Sequence, residues 1–174
     1  TNAADGGAIY YEMAPLEDGV IINCTISGNS ADDSGGAILA DNSKLTINNC
    51  TIYNNTNSTT DGSIQTTVDG YVELNNTIIA GAAQGYDIET DHEIFTVVLN
   101  NCVWDSTNVN EATTAFAGLA AFSATNCQDL SGAAPSLVAL ADNGGLTDTH
   151  ALILGSLALD SGMDSGGIVL ASIG

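Results

Sequence analysis

Any chemistry in this chain has to come from four cysteines, two histidines, one lysine and a scatter of carboxylates. Cys24, Cys50, Cys102 and Cys127 contain no C-x-x-C pair, so their spacing offers no thiolate zinc site. Each follows an asparagine, and Thr77 takes the equivalent place after Asn76. Such a series reads as one column of small thiol or hydroxyl side chains, the thiols reduced and buried as small hydrophobes. Vertical neighbours in the column would have parallel Cβ vectors, which suits disulfides poorly. His92, in Thr90-Asp91-His92-Glu93, reads as a solvated loop histidine, and His150 as a packing and hydrogen-bonding residue. There is no G-x-S-x-G elbow to present a nucleophilic serine. Hard oxygen donors stand beside bends at Asp32, Asp33, Asp61, Asp69, Asp87 and Asp91, which makes these the candidate calcium ligands. They follow neither the EF-hand loop nor a nonapeptide calcium repeat.

The elements that must position these residues are repeats. Ile47-Asn48-Asn49-Cys50-Thr51-Ile52 returns at 21–26, 74–79 and 99–104, and more faintly at 124–127. The key asparagines are Asn23, Asn49, Asn76, Asn101 and Asn126, at steps of 26, 27, 25 and 25 residues, a solenoid period. Two and four residues before each stand apolar residues such as Ile47 and Leu45, the period of a strand with one buried face. After the asparagine the apolar set continues at plus one and plus three, so the pleat breaks there. Asparagine tolerates the left-handed conformation such a break needs. A second marker, Gly6-Gly7-Ala8-Ile9, recurs as Gly35-Gly36-Ala37-Ile38 and fades to Gly62-Ser63-Ile64 and Tyr86-Asp87-Ile88. Together the markers predict an all-β, single-stranded parallel β-helix, with a β-sandwich as the competing architecture. Its rungs would span 6–34, 35–61, 62–85 and 86–118, with a degenerate fifth from 119. Residues 1–130 would be the rungs, and 131–174 an irregular capping or inter-subunit segment. Stacked asparagines would form an internal amide ladder. The sequons at Asn23, Asn49, Asn54, Asn57 and Asn75 are mostly by-products of the Asn-x-Thr repeat, and those in the ladder would be buried.

The charge balance narrows the partners. Against 21 acidic residues stands only Lys44, a net −20 that disfavours nucleic acid, anionic membranes and polyanionic substrates. No apolar run is long enough to cross a bilayer as a helix. The chain opens at Thr1 in mid-pattern, with no signal-type segment, and reads as a mature or partial chain. An extracellular or cell-surface location follows from the repeat type and the charge.

The rungs resemble right-handed parallel β-helix repeats. The pairing of Gly-Gly-Ala-Ile with Ile26-x-x-Asn29 and Ile52-x-x-Asn55 is similar to the repeats of polymorphic outer-membrane proteins. Leu140-Ala141-Asp142-Asn143-Gly144-Gly145, Thr149-His150-Ala151-Leu152 and the stretch from Gly155 to Gly162 resemble the closing segment of bacterial choice-of-anchor surface proteins. Leu157 stands where that segment usually has proline, and no sorting signal follows before Gly174. The resemblance implies a non-catalytic surface, structural or adhesin-like module, with a surface glycan or protein as its ligand. The alternative is a polysaccharide hydrolase or lyase, or a carbohydrate-binding β-helix. Polyuronate lyases of this fold resemble one another in using an Arg or Lys base, and only Lys44 is on offer. A hydrolase needs two carboxylates at a set separation on one face, whereas the acidic loops here share no register. A rung opening directly on Gly6 would leave strand edges for end-to-end stacking into a homopolymer.

Overall fold

The period-two blocks become short strands because each can bury one face only by stacking on its own repeat. A computed structural model describes residues 4–12, 18–59, 61–67, 70–82, 84–90, 96–105, 107, 109–110 and 122–159. Three parallel sheets of five strands run the length of the stack. The first holds β1 (Ile9–Glu12), β5 (Ile38–Asp41), β9 (Gly62–Thr66), β12 (Tyr86–Thr90) and β15 (Val109–Asn110). The second holds β2 (Asp18–Ile22), β6 (Lys44–Asn48), β10 (Tyr71–Asn75), β13 (Thr96–Asn100) and β16 (Phe122–Thr125). The third holds β3 (Thr25–Ser27), β7 (Thr51–Tyr53), β11 (Ile78–Ala80), β14 (Val103–Trp104) and β17 (Gln128–Asp129). A short pair, β4 (Ser30–Ala31) and β8 (Thr56–Asn57), closes one corner of the first two levels. The described strands thus stack in five levels, each giving one strand to every five-stranded sheet. The fifth level starts at Val109, which pairs with Ile88, and so earlier than the expected residue 119.

Register aligns like with like. Ile38 lies beside Ile64 and Ile64 beside Ile88; Leu45, Val72 and Val97 form a second column, and Ile47, Leu74 and Leu99 a third. With Ile52 and Ile79 these side chains are sealed in one core. Burial of an aliphatic side chain of this size is worth about 1.5–3 kcal/mol, so the columns carry the fold.

The bends between the second and third sheets follow the asparagines. Asn23, Asn49, Asn76, Asn101 and Asn126 all have positive φ, between 49° and 55°. That much matches the sequence expectation, but the burial does not. Asn23, Asn49 and Asn126 are exposed, and Asn76 and Asn101 half-buried. A left-handed residue swings its side chain out of the sheet's perpendicular array, so these amides turn toward solvent. The amide ladder runs one position earlier, where the last strand residue still stands in register. Asn75 Nδ2 donates to Asn48 Oδ1 at 2.9 Å, and Asn100 Nδ2 to Asn75 Oδ1 at 3.0 Å. This ladder is on the outer face of the second sheet, bounded by Ile22 below and Thr125 above. A second, interior pair joins Asn29 to Asn55. The fully buried Asn55 accepts from Asn29 N and Nδ2, both at 3.0 Å, and donates to Ile26 O at 2.9 Å.

The Gly-Gly marker has a steric cause. Gly35 has φ +64°, and a Cβ on Gly36 would lie 2.5 Å from Thr56 O, where the same rung comes round above it. Only a residue without a side chain lets the rungs close at that bend.

These bends carry the first prediction. Asn49→Ala should cost about 1–2 kcal/mol, the penalty for an ordinary residue held in the left-handed region, while Asn49→Gly should retain most of the stability. Thermal melting of the two variants checks this; equal losses would mean that the side chain, not the backbone conformation, is what the position requires.

Candidate functional site

The thiol column lies just inside the asparagine bends, and its hydrogen bonds explain why Cys and Thr interchange there. Each group donates to the carbonyl two residues back: Cys50 Sγ to Asn48 O at 3.2 Å, Thr77 Oγ1 to Asn75 O at 3.0 Å, and Cys102 Sγ to Asn100 O at 3.3 Å. Each also accepts the backbone N–H of its neighbour below, Cys24 N to Cys50 Sγ and Cys50 N to Thr77 Oγ1 among them. All four cysteines are free. Cys50 and Cys102 are buried as expected, but Cys24 is exposed and Cys127 half-buried, because each stands on a terminal rung. Burial pushes the Cys50 thiol up. Cys102 is pushed up by the adjoining Cys127 thiol and by burial. The Cys102 thiol beside it, aided by the Cys102 backbone N–H that donates to Cys127 Sγ at 3.3 Å, lowers Cys127 to about 6.

The candidate calcium ligands do not form one cluster. Asp32 and Asp33 are exposed, Asp61 is half-buried, Asp87 is buried, and Asp69, Asp91 and His92 fall outside the described residues. Among the described residues, no three acidic, imidazole or thiol groups converge as metal ligands. Asp87 has a structural task that the sequence did not announce: its Oδ1 accepts Ala82 N at 2.8 Å and caps the bend leading into β12.

Each sheet has a different outer face. On the first, the Tyr10 hydroxyl donates to Glu12 Oε2 at 3.0 Å and lies 3.2 Å from Asp41 Oδ2. These carboxylates are stacked in register, and Tyr10, hydrogen-bonded to Glu12, has its pKa pushed up to about 12. On the second, Lys44 pairs with Asp18 at 3.0 Å and lies 5.7 Å from the centre of the Tyr71 ring. Burial and then the nearby Glu73 raise Tyr71. Glu73 Oε1 in turn accepts from Asn75 and Asn100 of the amide ladder.

The third sheet is covered by the chain's own C-terminal segment. Bridges Leu137↔Leu152 and Ala141↔Thr149 form a small antiparallel loop. His150 Nδ1 lies 2.7 Å from Val138 O, and its ring meets Tyr53 edge-on at 5.1 Å. Ala80, Val103 and Leu130 form a second small core beneath it, with Tyr53, Ile78 and Ala158 at its margin. Between loop and sheet runs a groove of ≈ 510 Å³, walled by Ser27, Tyr53, Val138, Leu140 and His150. The described part of the tail, expected from the sequence as a capping or inter-subunit segment, lies along a flank. The cause is apolar: Ile78, Ala80 and Val103 face outward on the third sheet and need a cover.

A family model for the right handed beta helix region matches residues 1–128. No curated protein and no solved structure matches the chain. No helix among the described residues is long and apolar enough to cross a membrane.

The thiol geometry predicts an order of reaction. With an alkylating reagent, Cys24 and Cys127 should label in the native protein, and Cys50 and Cys102 only on unfolding without reductant. Because its pKa is lowered, Cys127 should be largely thiolate above about pH 6, so its labelling rate should level off near neutrality. Mass spectrometry of labelled peptides reads both, and fewer than four thiols after unfolding would establish a disulfide.

Proposed function

We propose, from the premise that the chain belongs to the right-handed β-helix family, that it is a non-catalytic extracellular module of a bacterial surface, a rigid rod that works through its ends. The observation that carries this is the state of the core at the two terminal rungs. Ile9, Tyr11 and Ile21 are half-buried at the first level, where Ile38, Ala40 and Ile47 one level up are sealed. At the last level Ala124 is exposed, above a sealed Leu99. Among the described residues, strand edges β1, β2 and β3 at one end, and β15, β16 and β17 at the other, each have one neighbour in their sheets. All are parallel, so a second copy placed head to tail would continue every sheet and every column. Such a contact is heterologous and grows into a filament. The net charge of −20 would hold neighbouring filaments apart.

The likeness of the Gly-Gly-Ala-Ile and Ile-x-x-Asn repeats to outer-membrane protein repeats, and of the tail to choice-of-anchor segments, supports a surface location. Exposed Leu140, Leu146, Ile153 and Leu154 on the tail offer apolar side chains for adhesive contact with a protein or glycan. The competing reading, an enzyme or binding module for polysaccharide, calls for rings and carboxylates gathered on one face. Tyr10, Tyr71 and Tyr53 stand instead on three different sheets.

Sedimentation and electron microscopy of the chain over a rising concentration series test the proposal. End-to-end species should appear and should be lost in the Ile21→Lys and Ala124→Lys variants, each of which places charge in an end face. A strictly monomeric protein at high concentration with calcium present would sink it.

A further inference from the structure

The corner where the second rung passes into the third, beside the bend that ends at Gly85, holds a polar group that the fold does not fully use. Asn57 is 2% exposed, and its Oδ1 has no hydrogen-bond partner among the described residues. Its Nδ2 is spent on Gly62 O, at a long 3.5 Å. An amide oxygen buried in this state carries a desolvation cost that nothing nearby repays. The oxygen is aimed at Gly85: a Cβ built there would lie 3.2 Å from Asn57 Oδ1 and 2.0 Å from Asp61 O. Gly85 ends the bend whose start, Ala82 N, is held by the carboxylate of Asp87, itself 2% exposed. An amide oxygen, a main-chain carbonyl and a buried carboxylate therefore border one bend of a few residues. An open depression of ≈ 620 Å³, lined by Ser58, Thr59, Gln84 and Gly85, leads from solvent to this bend.

We propose that this corner is a cation site, selective for calcium, built from Asn57 Oδ1, the Asp87 carboxylate and oxygens of Asp61. The donor set decides the metal. It is oxygen only, without thiol or imidazole, which suits a hard ion. It mixes amide, carbonyl and carboxylate oxygens on an irregular bend, which fits calcium's loose coordination better than magnesium's strict octahedron. Water from the depression would fill the remaining positions. The ion would satisfy the Asn57 oxygen and offset a carboxylate buried within a chain of net charge −20. It would also tie the β8 corner to the bend entering β12, so two rungs would be clamped at the one corner where Gly85 lets their backbones touch. This site is independent of end-to-end assembly.

Terbium, a calcium surrogate sensitised by nearby tyrosine, is the probe, with Tyr86 directly following Gly85. At protein concentrations too low for self-association, terbium emission should rise to one saturable site. Calcium should compete for it with half-effect near about 0.1–1 mM, as in extracellular modules, and magnesium should compete poorly. Asn57→Leu and Asp87→Asn should abolish the emission, while Asp32→Asn with Asp33→Asn should leave it unchanged. Since Asp87→Asn also removes a bend cap and could unfold the corner, Asn57→Asp gives a second reading. It adds a charged oxygen in place, so it should melt earlier without calcium, regain its melting temperature with it, and bind terbium more tightly. Emission that survives in Asn57→Leu but falls with Asp32→Asn and Asp33→Asn would show diffuse counter-ion binding and overturn the site. So would a melting temperature of Asn57→Asp that calcium does not move.

Discussion

Backbone hydrogen bonding between rungs is the constraint on which the rest of this molecule depends. It sets the rungs about 4.8 Å apart, so the nearest neighbour of almost every side chain is its own equivalent in the next repeat. A residue type is then tolerated only if it can stack on itself. Isoleucine, leucine and valine do so in the core, and asparagine does so through its amide, as Asn48, Asn75 and Asn100 show. Thiol and hydroxyl alternate freely in the bend column because both donate to the same carbonyl and accept the same N–H. Glycine is required where the neighbouring backbone itself occupies the space a Cβ would take, as at Gly36 beneath Thr56.

The same rule governs charge. Like charges placed in register repel, and this chain has almost no cations to intersperse. Lys44 is set directly beside Asp18 and near Tyr71 in the next rung, between a carboxylate and an aromatic face. Glu12 and Asp41 do stack, and Tyr10 stands against both as a neutral hydroxyl that resists ionising. Asp41 also accepts the Thr67 hydroxyl. Asp87 leaves the stacked array and folds back to cap a bend. The acidity is therefore accommodated by local devices, one carboxylate at a time, and not by a repeated acidic ladder.

Much of this was legible in the sequence, because a solenoid writes its geometry as a period. The core columns and the left-handed asparagines follow directly from the phase break between Ile47 and Cys50, and the structure has both. The ladder was misplaced by one residue for a physical reason. Asn48-Asn49, Asn75-Asn76 and Asn100-Asn101 are doublets, and periodicity alone does not say which member keeps strand geometry. The member that breaks the pleat cannot also stand in the ladder. The start of the fifth level was missed because Val109-Asn110 lacks the glycine bend that marked earlier rungs, although it pairs with β12 all the same. The unpartnered Asn57 oxygen had no signal at all, since it arises from the way Gly85 brings two bends together. Asp61 and Asp87 were picked out by residue type, but only the fold distinguishes them from Asp32 and Asp33 on the surface.

The position of the tail follows from the outer columns of the three sheets. On the second sheet the outward residues at the centre are Thr46, Asn48, Glu73 and Asn75, which hydrate or pair among themselves. On the third they are Tyr53, Ile78, Ala80 and Val103, an apolar strip that water would meet unfavourably. A chain leaving β17 at Leu130 has that strip directly beside it, and Leu130 is already part of the small core that covers it. Folding back along the flank therefore buries that strip. The choice has a consequence for the whole rod. Once the tail has covered the third flank, half-buried core residues such as Ile9 and Ile21 remain at the end of the core columns, where strand edges also lie. In a solenoid both kinds of incompleteness are satisfied by the same thing, another rung.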